Sequence, residues 1–179
     1  MAPEDIIKQY YEEGSKLYIL LLAHGISVAT KALEISRMHP EWQLDEAFVR
    51  EAALLHDIGI YATNAPEIHC FGKYPYICHG YLGANLLRDK GLEEHARVCE
   101  RHTGSGITRK RILCDQLPLP ARDMVPETLE EKLICFTDKF YSKTHPDKVK
   151  TVEQIRKSLS RHGEDSLDRW DDMVKLFYG

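Results

Sequence analysis

The chain has 179 residues, of which 43% are hydrophobic and 29% are charged, and its formal net charge is −4. This length suits a single domain and this composition allows a hydrophobic core, so a disordered or fibrous chain is excluded. The small acidic excess argues against nucleic acid as the main partner, because nucleic-acid-binding surfaces concentrate Lys and Arg.

Helical periodicity dominates the chain, and strand patterns are almost absent. Leu17, His24 and Ile35 lie on one face of a first predicted helix, with Ser15 as its N-cap and Pro40 beyond its end. Further helices are predicted at residues 45–57, 78–90, 92–102, 126–143, 149–161 and 166–178. The sequence therefore predicts an all-α domain in which the last two helices form a C-terminal extension.

The segments between these helices are rich in Pro and Gly. Residues 60–76 are predicted to form a long loop, and residues 112–126 are predicted to be mostly irregular, with Pro126 opening the next helix. Gly59 is expected to cap the second helix at its C-terminus. The string Gly104-Ser105-Gly106 is expected to end the fourth helix, because it lacks the Lys-Ser/Thr of a phosphate-binding loop.

The N-terminal segment and the cysteines bear on cellular location. The apolar run Leu17–Ala23 is far shorter than the roughly 20 residues that a membrane span needs. The initial string MAPEDIIKQ has neither the basic start nor the cleavage site of a signal peptide. Five cysteines without a C-x-x-C pair do not suit a disulfide framework or a zinc knuckle. We therefore expect a cytoplasmic protein with reduced thiols and no membrane partner.

Four polar side chains on apolar helix faces are candidates for a metal site. His24 alone would more often be a hydrogen-bonded core residue, and Asp138 alone is as well explained by an ion pair with Arg or Lys. His56 and Asp57 end the apolar run AALLHDIG, and burying both is costly unless something binds them. Together these nitrogen and oxygen ligands suit a divalent transition metal such as Mn²⁺, Fe²⁺, Co²⁺, Ni²⁺ or Zn²⁺.

Most of the other histidines are interpreted as structural or solvated. His39, His145 and His162 lie in polar, flexible sequence, and His95 lies in a polar stretch of the fourth helix. His69 lies in the long loop and receives no role.

The order, spacing and helical setting of the candidate ligands resemble those of the HD superfamily of metal-dependent hydrolases. The matching strings are LLAHGISVATKALEI with His24, AALLHDIGI with His56 and Asp57, and KLICFTDKFYS with Asp138. The similarity covers roughly residues 20–142 and implies an HD-type helical bundle, extended here by two helices within about residues 148–179. It also implies that these four residues bind one metal ion.

A subset of the superfamily adds two histidines and binds a second ion. His79 and His102 match those places, so the resemblance implies a site for two ions with Asp57 bridging them, and His56 and Asp57 at the catalytic centre. In the cyclic-dinucleotide phosphodiesterase branch the HDIG string is commonly followed by Lys, whereas this chain has Ile60. Cyclic dinucleotides are therefore poor candidates, and residues 106–132 resemble small stand-alone HD proteins whose substrates are generally unassigned.

The resemblance implies a metal-dependent phosphohydrolase that acts on a nucleotide or another small phosphoester. A bound divalent ion lowers the pKa of water to about 7, which provides hydroxide to attack phosphorus at neutral pH. Positive side chains must also neutralise the phosphate oxygens. The candidates for this substrate-binding role are Arg122, Lys139, Lys73 and Arg109, with Lys110 and Arg111 beside the last, although a solvated surface position would explain each of them.

Two alternatives to a phosphohydrolase remain open from the sequence. A few members of the superfamily use the same six ligands for a di-iron centre that activates dioxygen, and imidazole and carboxylate ligands suit iron. The other alternative is a non-catalytic HD module for sensing or interaction, which predicts an incomplete ligand set. The sequence predicts neither the individual substrate nor the oligomeric state.

Overall fold

The computed structural model describes residues 2–179, which form nine α-helices and one small sheet. The helices are α1 (Pro3–Ile7), α2 (Lys16–Met38), α3 (Glu46–Leu55), α4 (His79–Asp89), α5 (Glu93–Arg101), α6 (Arg109–Cys114), α7 (Leu129–Asp138), α8 (Val152–Leu159) and α9 (Glu164–Tyr178). The prediction of an all-α fold is confirmed.

Several predicted helix boundaries are wrong by a few residues. The fifth predicted helix starts at Leu129 rather than Pro126, because the hydroxyl of Thr128 caps it by accepting a hydrogen bond from the Glu131 amide at 3.2 Å. Its end is Asp138 rather than Lys143. Helix α6 (Arg109–Cys114) overlaps the start of the segment at residues 112–126 that was predicted to be mostly irregular. This helix has six residues, which are too few for helical periodicity to appear in the sequence.

The predicted loop at residues 60–76 contains a small three-stranded sheet. Its strands are β1 (Thr63–Ala65), β2 (Cys70–Phe71) and β3 (Tyr74–Pro75). The central strand β1 pairs antiparallel with β2, with Asn64 opposite Phe71, and parallel with β3. Strands of two or three residues are too short for an alternating pattern to appear in the sequence.

Two hydrophobic cores meet at the middle of α2. The first core joins the C-terminal half of α2 to α3, α7, α8 and α9, and it includes Val28 and Trp170. The second core joins the N-terminal half of α2 to α1, α4 and α5, and it includes Leu21 and Ile58. His24 lies between Leu21 and Val28 on the same buried face of α2, and therefore at the junction of the two cores.

Helix α2 is long and apolar enough to cross a membrane by length and composition alone. However, 44% of its most apolar window is buried inside the protein, and this face packs against α3 and α7. The hydrophobic core therefore accounts for the apolar character of α2.

The two C-terminal helices support the helix that carries Asp138. Trp170 of α9 is fully buried, and its ring stacks on Phe136 of α7 with a centroid distance of 4.9 Å. Phe177 adds a second aromatic contact with Phe136 at 5.0 Å. These rings pack α9 against α7, so α8 and α9 belong to the first core.

Two glycines allow helices to approach each other closely beside the candidate ligands. A Cβ atom on Gly25 would lie 3.1 Å from the Leu54 Cα atom, so a larger residue next to His24 would push α2 away from α3. A Cβ atom on Gly59 would lie 2.1 Å from the His79 carbonyl oxygen. The expectation that Gly59 caps a helix is wrong: it lies within a 3₁₀ turn, Ile58–Ala62, where it lets the backbone pass against α4.

Candidate metal centre

Six side chains from five parts of the fold converge where the two cores meet. His24 comes from the middle of α2, His56 and Asp57 follow α3, His79 begins α4, His102 follows α5, and Asp138 ends α7. All six residues are buried, with at most 7% of the surface of any of them exposed. The structure therefore brings together all six metal ligands that were predicted from the sequence.

Three helices direct their C-terminal ends at this cluster. Helices α3, α5 and α7 end at Leu55, Arg101 and Asp138, each adjacent to or within the cluster. The C-terminus of an α-helix carries partial negative charge from its unpaired carbonyl groups. The fold therefore creates a local potential that favours cations, although the net charge of the chain is only −4.

The first group of ligands consists of His24, His56, Asp57 and Asp138. His24 Nε2 lies 2.8 Å from Asp138 Oδ1 and 3.3 Å from Asp57 Oδ2. His56 Nε2 lies 3.0 Å from the same oxygen of Asp57 and 3.4 Å from Asp138 Oδ1. The four ligand atoms lie within 4.8 Å of one another, which is close enough to surround one ion.

The second group consists of Asp57, His79 and His102. Asp57 Oδ1 lies 3.4 Å from the Nε2 atom of each of these histidines. Asp57 thus directs Oδ2 at the first group and Oδ1 at the second. This is the arrangement that a carboxylate needs to bridge two metal ions.

Backbone carbonyl groups fix the orientation of three of the imidazole rings. The Nδ1 atoms of His56, His79 and His102 lie 2.6, 2.6 and 2.7 Å from carbonyl oxygens three residues earlier in the chain. A carbonyl oxygen only accepts, so each Nδ1 carries the proton and donates it. In a neutral ring the Nε2 atom is then the lone-pair atom that faces the cluster, which is the tautomer that a metal ligand requires.

Some polar atoms of the cluster have no hydrogen-bond donor to pair with, and a bound cation would take the place of that donor. Nε2 of His79 and Nε2 of His102 are 3.1 Å apart, so two lone pairs face each other when both rings are neutral. Among residues 2–179, Asp57 Oδ1 has no hydrogen-bond partner, although it is buried. Buried polar atoms are rarely left unpaired. The donor set therefore fits a bound divalent metal.

The electrostatic environment sets the protonation state of the ligands. Burial lowers the pKa of His79 to about 3 and also lowers the pKa of His102. Burial raises the pKa of a carboxylate, yet His56 and Lys143 hold the pKa of Asp57 well below its usual range, and Lys139 and His24 do the same for Asp138. At neutral pH, His79, His102 and the two carboxylates are therefore already in the form that binds metal.

The predicted substrate-binding residues differ in their placement. Lys139 forms an ion pair with Asp138 and so lies at the cluster. Arg122 instead forms an ion pair with Glu100, an acidic residue that Arg88 also binds at 3.1 Å. Lys73 and Arg109 are exposed. The structure does not bring these last three side chains to the cluster, and their role in substrate binding stays a prediction.

Lys143 was not among the predicted site residues. It follows α7 by five positions, its side chain is 13% exposed, and its Nζ atom lies 2.5 Å from Asp57 Oδ2. Burial opposes a charge there, but Asp57 and Tyr76 hold the pKa of Lys143 above its ordinary value. The helix predicted at residues 126–143 ends at Asp138 instead, so helical periodicity does not indicate the direction of Lys143, and only its proximity in sequence to Asp138 is a signal.

Two clefts open beside the cluster, and Lys143 lines both of them. We call the first the apolar cleft; its volume is about 420 Å³, and its apolar walls are formed by Ile19, Leu20, Ala23, Tyr141 and Pro146, with His24 also lining it. We call the second the lysine cleft; its volume is about 260 Å³, and Asp138, Lys139, Lys143 and Lys150 line it. The centre is therefore reachable from two chemically different directions.

Substitution of His79 is expected to remove one ion and leave the other. In the His79→Ala variant the first group keeps all four ligands, whereas the second group keeps only two of three. Elemental analysis after reloading with Mn²⁺ should give about one ion per chain, against about two for the unaltered protein.

The control for this prediction is His95→Ala. His95 lies on α5 outside the cluster, where it contacts Glu51 at 3.3 Å. That variant should still bind two ions per chain. Two ions per chain in His79→Ala would exclude His79 as a ligand.

Metal binding to the first group is expected to weaken as the pH falls. Burial opposes protonation of His56, but Asp57 and Asp138 raise the pKa of His56 to about 9. A proton is thus bound at pH 7 and must leave when a metal binds, so the affinity should fall by up to about tenfold per pH unit below pH 9.

The His79→Ala variant isolates the first group for this measurement. Calorimetric titration with Mn²⁺ in two buffers of different ionisation enthalpy should report release of about one proton at pH 7. An affinity that stays constant between pH 6 and pH 8 would show that His56 binds no proton in the absence of metal.

The chain matches one protein family model and is similar in sequence to several known proteins. The HD domain family model matches residues 21–143. An uncharacterised protein of Methanocaldococcus jannaschii is 33% identical over 147 residues, which cover 80% of this chain and 78% of that protein. No solved structure gave a significant match.

Two further relatives are named tRNA (cytidine(56)-2'-O)-methyltransferase. The protein from Picrophilus torridus is 34% identical over 76% of this chain, and the one from Thermoplasma volcanium is 29% identical over 89%. The matched regions cover only 35% and 41% of those two proteins. The chain therefore spans well under half the length of either methyltransferase.

Proposed function

Because the chain belongs to the HD domain family of metal-dependent hydrolases, we propose that it is a phosphohydrolase that acts on a nucleotide or another small phosphoester. The observation that carries this proposal is the position of Asp57. Its two carboxylate oxygens face two separate groups of buried ligands, which is the arrangement of a centre with two metal ions.

The residues present fit two divalent ions chosen from Mn²⁺, Fe²⁺, Co²⁺, Ni²⁺ and Zn²⁺. His24, His56, Asp57 and Asp138 would hold one ion, and Asp57, His79 and His102 the other. When bound, such ions supply a hydroxide nucleophile at neutral pH and positive charge for the phosphate in the transition state.

The protein itself contributes orientation and further positive charge. The Nδ1 atoms of His56, His79 and His102 donate hydrogen bonds to the backbone and hold the three rings in place. The rings therefore need little reorganisation when a metal ion binds. Lys139 and Lys143 bring two ammonium groups to the lysine cleft, where they can neutralise phosphate oxygens. This positive charge supports an anionic substrate such as a phosphoester.

The methyltransferase name of two relatives does not oppose this proposal. That name describes whole proteins, and the matched region is 35–41% of them. The metal ligands of this chain lie inside the matched HD region, at residues 24–138. With a net charge of −4, the chain also lacks the basic excess of an RNA-binding protein. We therefore propose a small phosphorylated molecule as its partner.

The state of the cysteines supports a cytoplasmic location. All five are free thiols, and Cys70, Cys78, Cys99 and Cys135 are buried. Free thiols are the usual state of cysteines in a reducing compartment.

The proposal is tested by reloading metal-depleted protein with Mn²⁺, Fe²⁺ or Ni²⁺ and screening nucleotides and phosphomonoesters for phosphate release. We expect release that depends on the added metal and stops when a chelator is present. Oxygen consumption by the iron-loaded protein without phosphate release would identify an oxygenase instead. Absence of both activities in protein that holds two ions would favour a sensing module.

A further inference from the structure

The apolar cleft is lined by His24 of the metal cluster and by an exposed apolar part of α2. Ile19 is 58% exposed, and Ala23, one turn further along α2, is also exposed. His24 follows directly and belongs to the first group of ligands. An apolar surface that leads into a cluster of metal ligands is typical of a binding site for a small molecule.

Two serine hydroxyls along this cleft are engaged within the protein, and the other polar side chains that line it are Lys16, His24, His69, Tyr141 and Lys143. The hydroxyl of Ser27 donates to the Ala23 carbonyl at 2.9 Å, and the hydroxyl of Ser142 is hydrogen-bonded to that of Thr144 at 3.0 Å. Lys16 lies eight residues before His24, which places it about 12 Å away along the helix axis. Between Lys16 and His24 the α2 side of the cleft is formed by Ile19, Leu20 and Ala23. A nucleobase or a sugar packed against this side would find no polar partner there, and unpaired polar groups are costly.

The lysine cleft has the opposite character. Lys139, Lys143 and Lys150 line it together with the carboxylates of Glu67 and Asp138, so that three ammonium groups face two carboxylates, and Lys143 also lines the apolar cleft. A phosphate group at Lys143 therefore has positive charge on one side and the apolar walls on the other. The two clefts together provide one place for an anion and one for an apolar group.

We propose that the preferred substrates are phosphomonoesters of apolar alcohols or phenols, with the alkyl or aryl group in the apolar cleft and the phosphate at Lys143. This inference rests on the proposed function and specifies its substrate class. A volume of about 420 Å³ accommodates an aryl or medium-length alkyl group. Tyr141 and Pro146 also line the cleft, and such a group would pack against them.

The test compares Ile19→Asn with the matched control Ile26→Asn in protein loaded with Mn²⁺. Both residues are exposed on α2, by 58% and 55%, but only Ile19 lines the cleft. We expect the unaltered protein to have a higher kcat/KM for phenyl phosphate than for glycerol phosphate. Ile19→Asn should lower that ratio roughly tenfold or more, and Ile26→Asn should leave it unchanged.

A binding measurement separates failure of this inference from failure of the proposed function. Phenylphosphonate and methylphosphonate are not hydrolysed, and their affinities can be compared by calorimetry. Tighter binding of phenylphosphonate that is lost in Ile19→Asn supports the apolar cleft, even if no ester is hydrolysed and the proposed function is wrong. Equal affinities for the two phosphonates, or an equal effect of the Asn substitution at both positions, would overturn the inference.

Discussion

Replacement of Asp57 with alanine is expected to abolish both metal binding and the proposed phosphatase activity. Asp57 is the one residue shared by the two groups of ligands, so Asp57→Ala removes an oxygen ligand from each ion. Loss of a residue that merely orients a ligand already lowers metal affinity 10–100-fold, and loss of a bridging ligand should lower it further. Elemental analysis should find less than one ion per chain, and phosphate release should fall to the background rate.

This substitution also changes the charge balance of a buried site. Lys143 Nζ lies 2.5 Å from Asp57 Oδ2, and removal of one partner from a buried ion pair costs about 3–5 kcal/mol of stability. The double variant Asp57→Asn, Lys143→Met removes both charges and keeps the volumes similar. If that variant has a native circular dichroism spectrum and binds no metal, the loss of metal binding results from removal of the Asp57 carboxylate and not from a failure to fold. Full activity in Asp57→Ala would refute the assignment of the site.

Replacement of Trp170 with alanine is expected to lower the free energy of unfolding of the protein by a large amount. Trp170 is 0% exposed and packs against Phe136 and Phe140 of the first core. Truncation of a buried Trp to Ala typically costs about 3–5 kcal/mol, because apolar contacts are lost and a cavity remains. In a protein of this size the melting temperature should fall by roughly 10 °C.

The control for this variant is Leu176→Ala on the same helix. Leu176 is 38% exposed, so its truncation should cost about 1 kcal/mol or less. Thermal and urea denaturation measure both variants. Equal and small effects would mean that α9 is a peripheral appendage whose removal leaves the first core intact.

Four of the six candidate ligands were predictable because their chemistry conflicts with their surroundings. His24 lies on a helix face that is otherwise apolar, and His56 and Asp57 end an apolar run, so burial without a partner would be costly. The helical setting then placed each side chain on a definite face. His79 and His102 followed only from the resemblance to the HD superfamily, and the structure places both within 3.4 Å of Asp57.

Side chains outside regular helices could not be placed in this way. Lys143 reaches Asp57 from a segment that no periodicity describes, whereas Arg122 is bound by Glu100 of α5, more than 20 positions away in sequence. Long basic side chains rotate freely until a partner fixes them, and the partner is a product of the tertiary fold. The role of Gly59 was mistaken for the same reason, because the neighbour that requires glycine there is the backbone of α4.

The location of the metal centre at the meeting point of two hydrophobic cores gives any bound ion a mechanical role. Its ligands come from segments as distant as His24 and Asp138, which are 114 positions apart. An ion held there acts as a cross-link that ties the two packing units together and adds its binding energy to the free energy of unfolding. Depletion of the ions would thus lower the free energy of unfolding and remove the proposed catalytic activity at the same time.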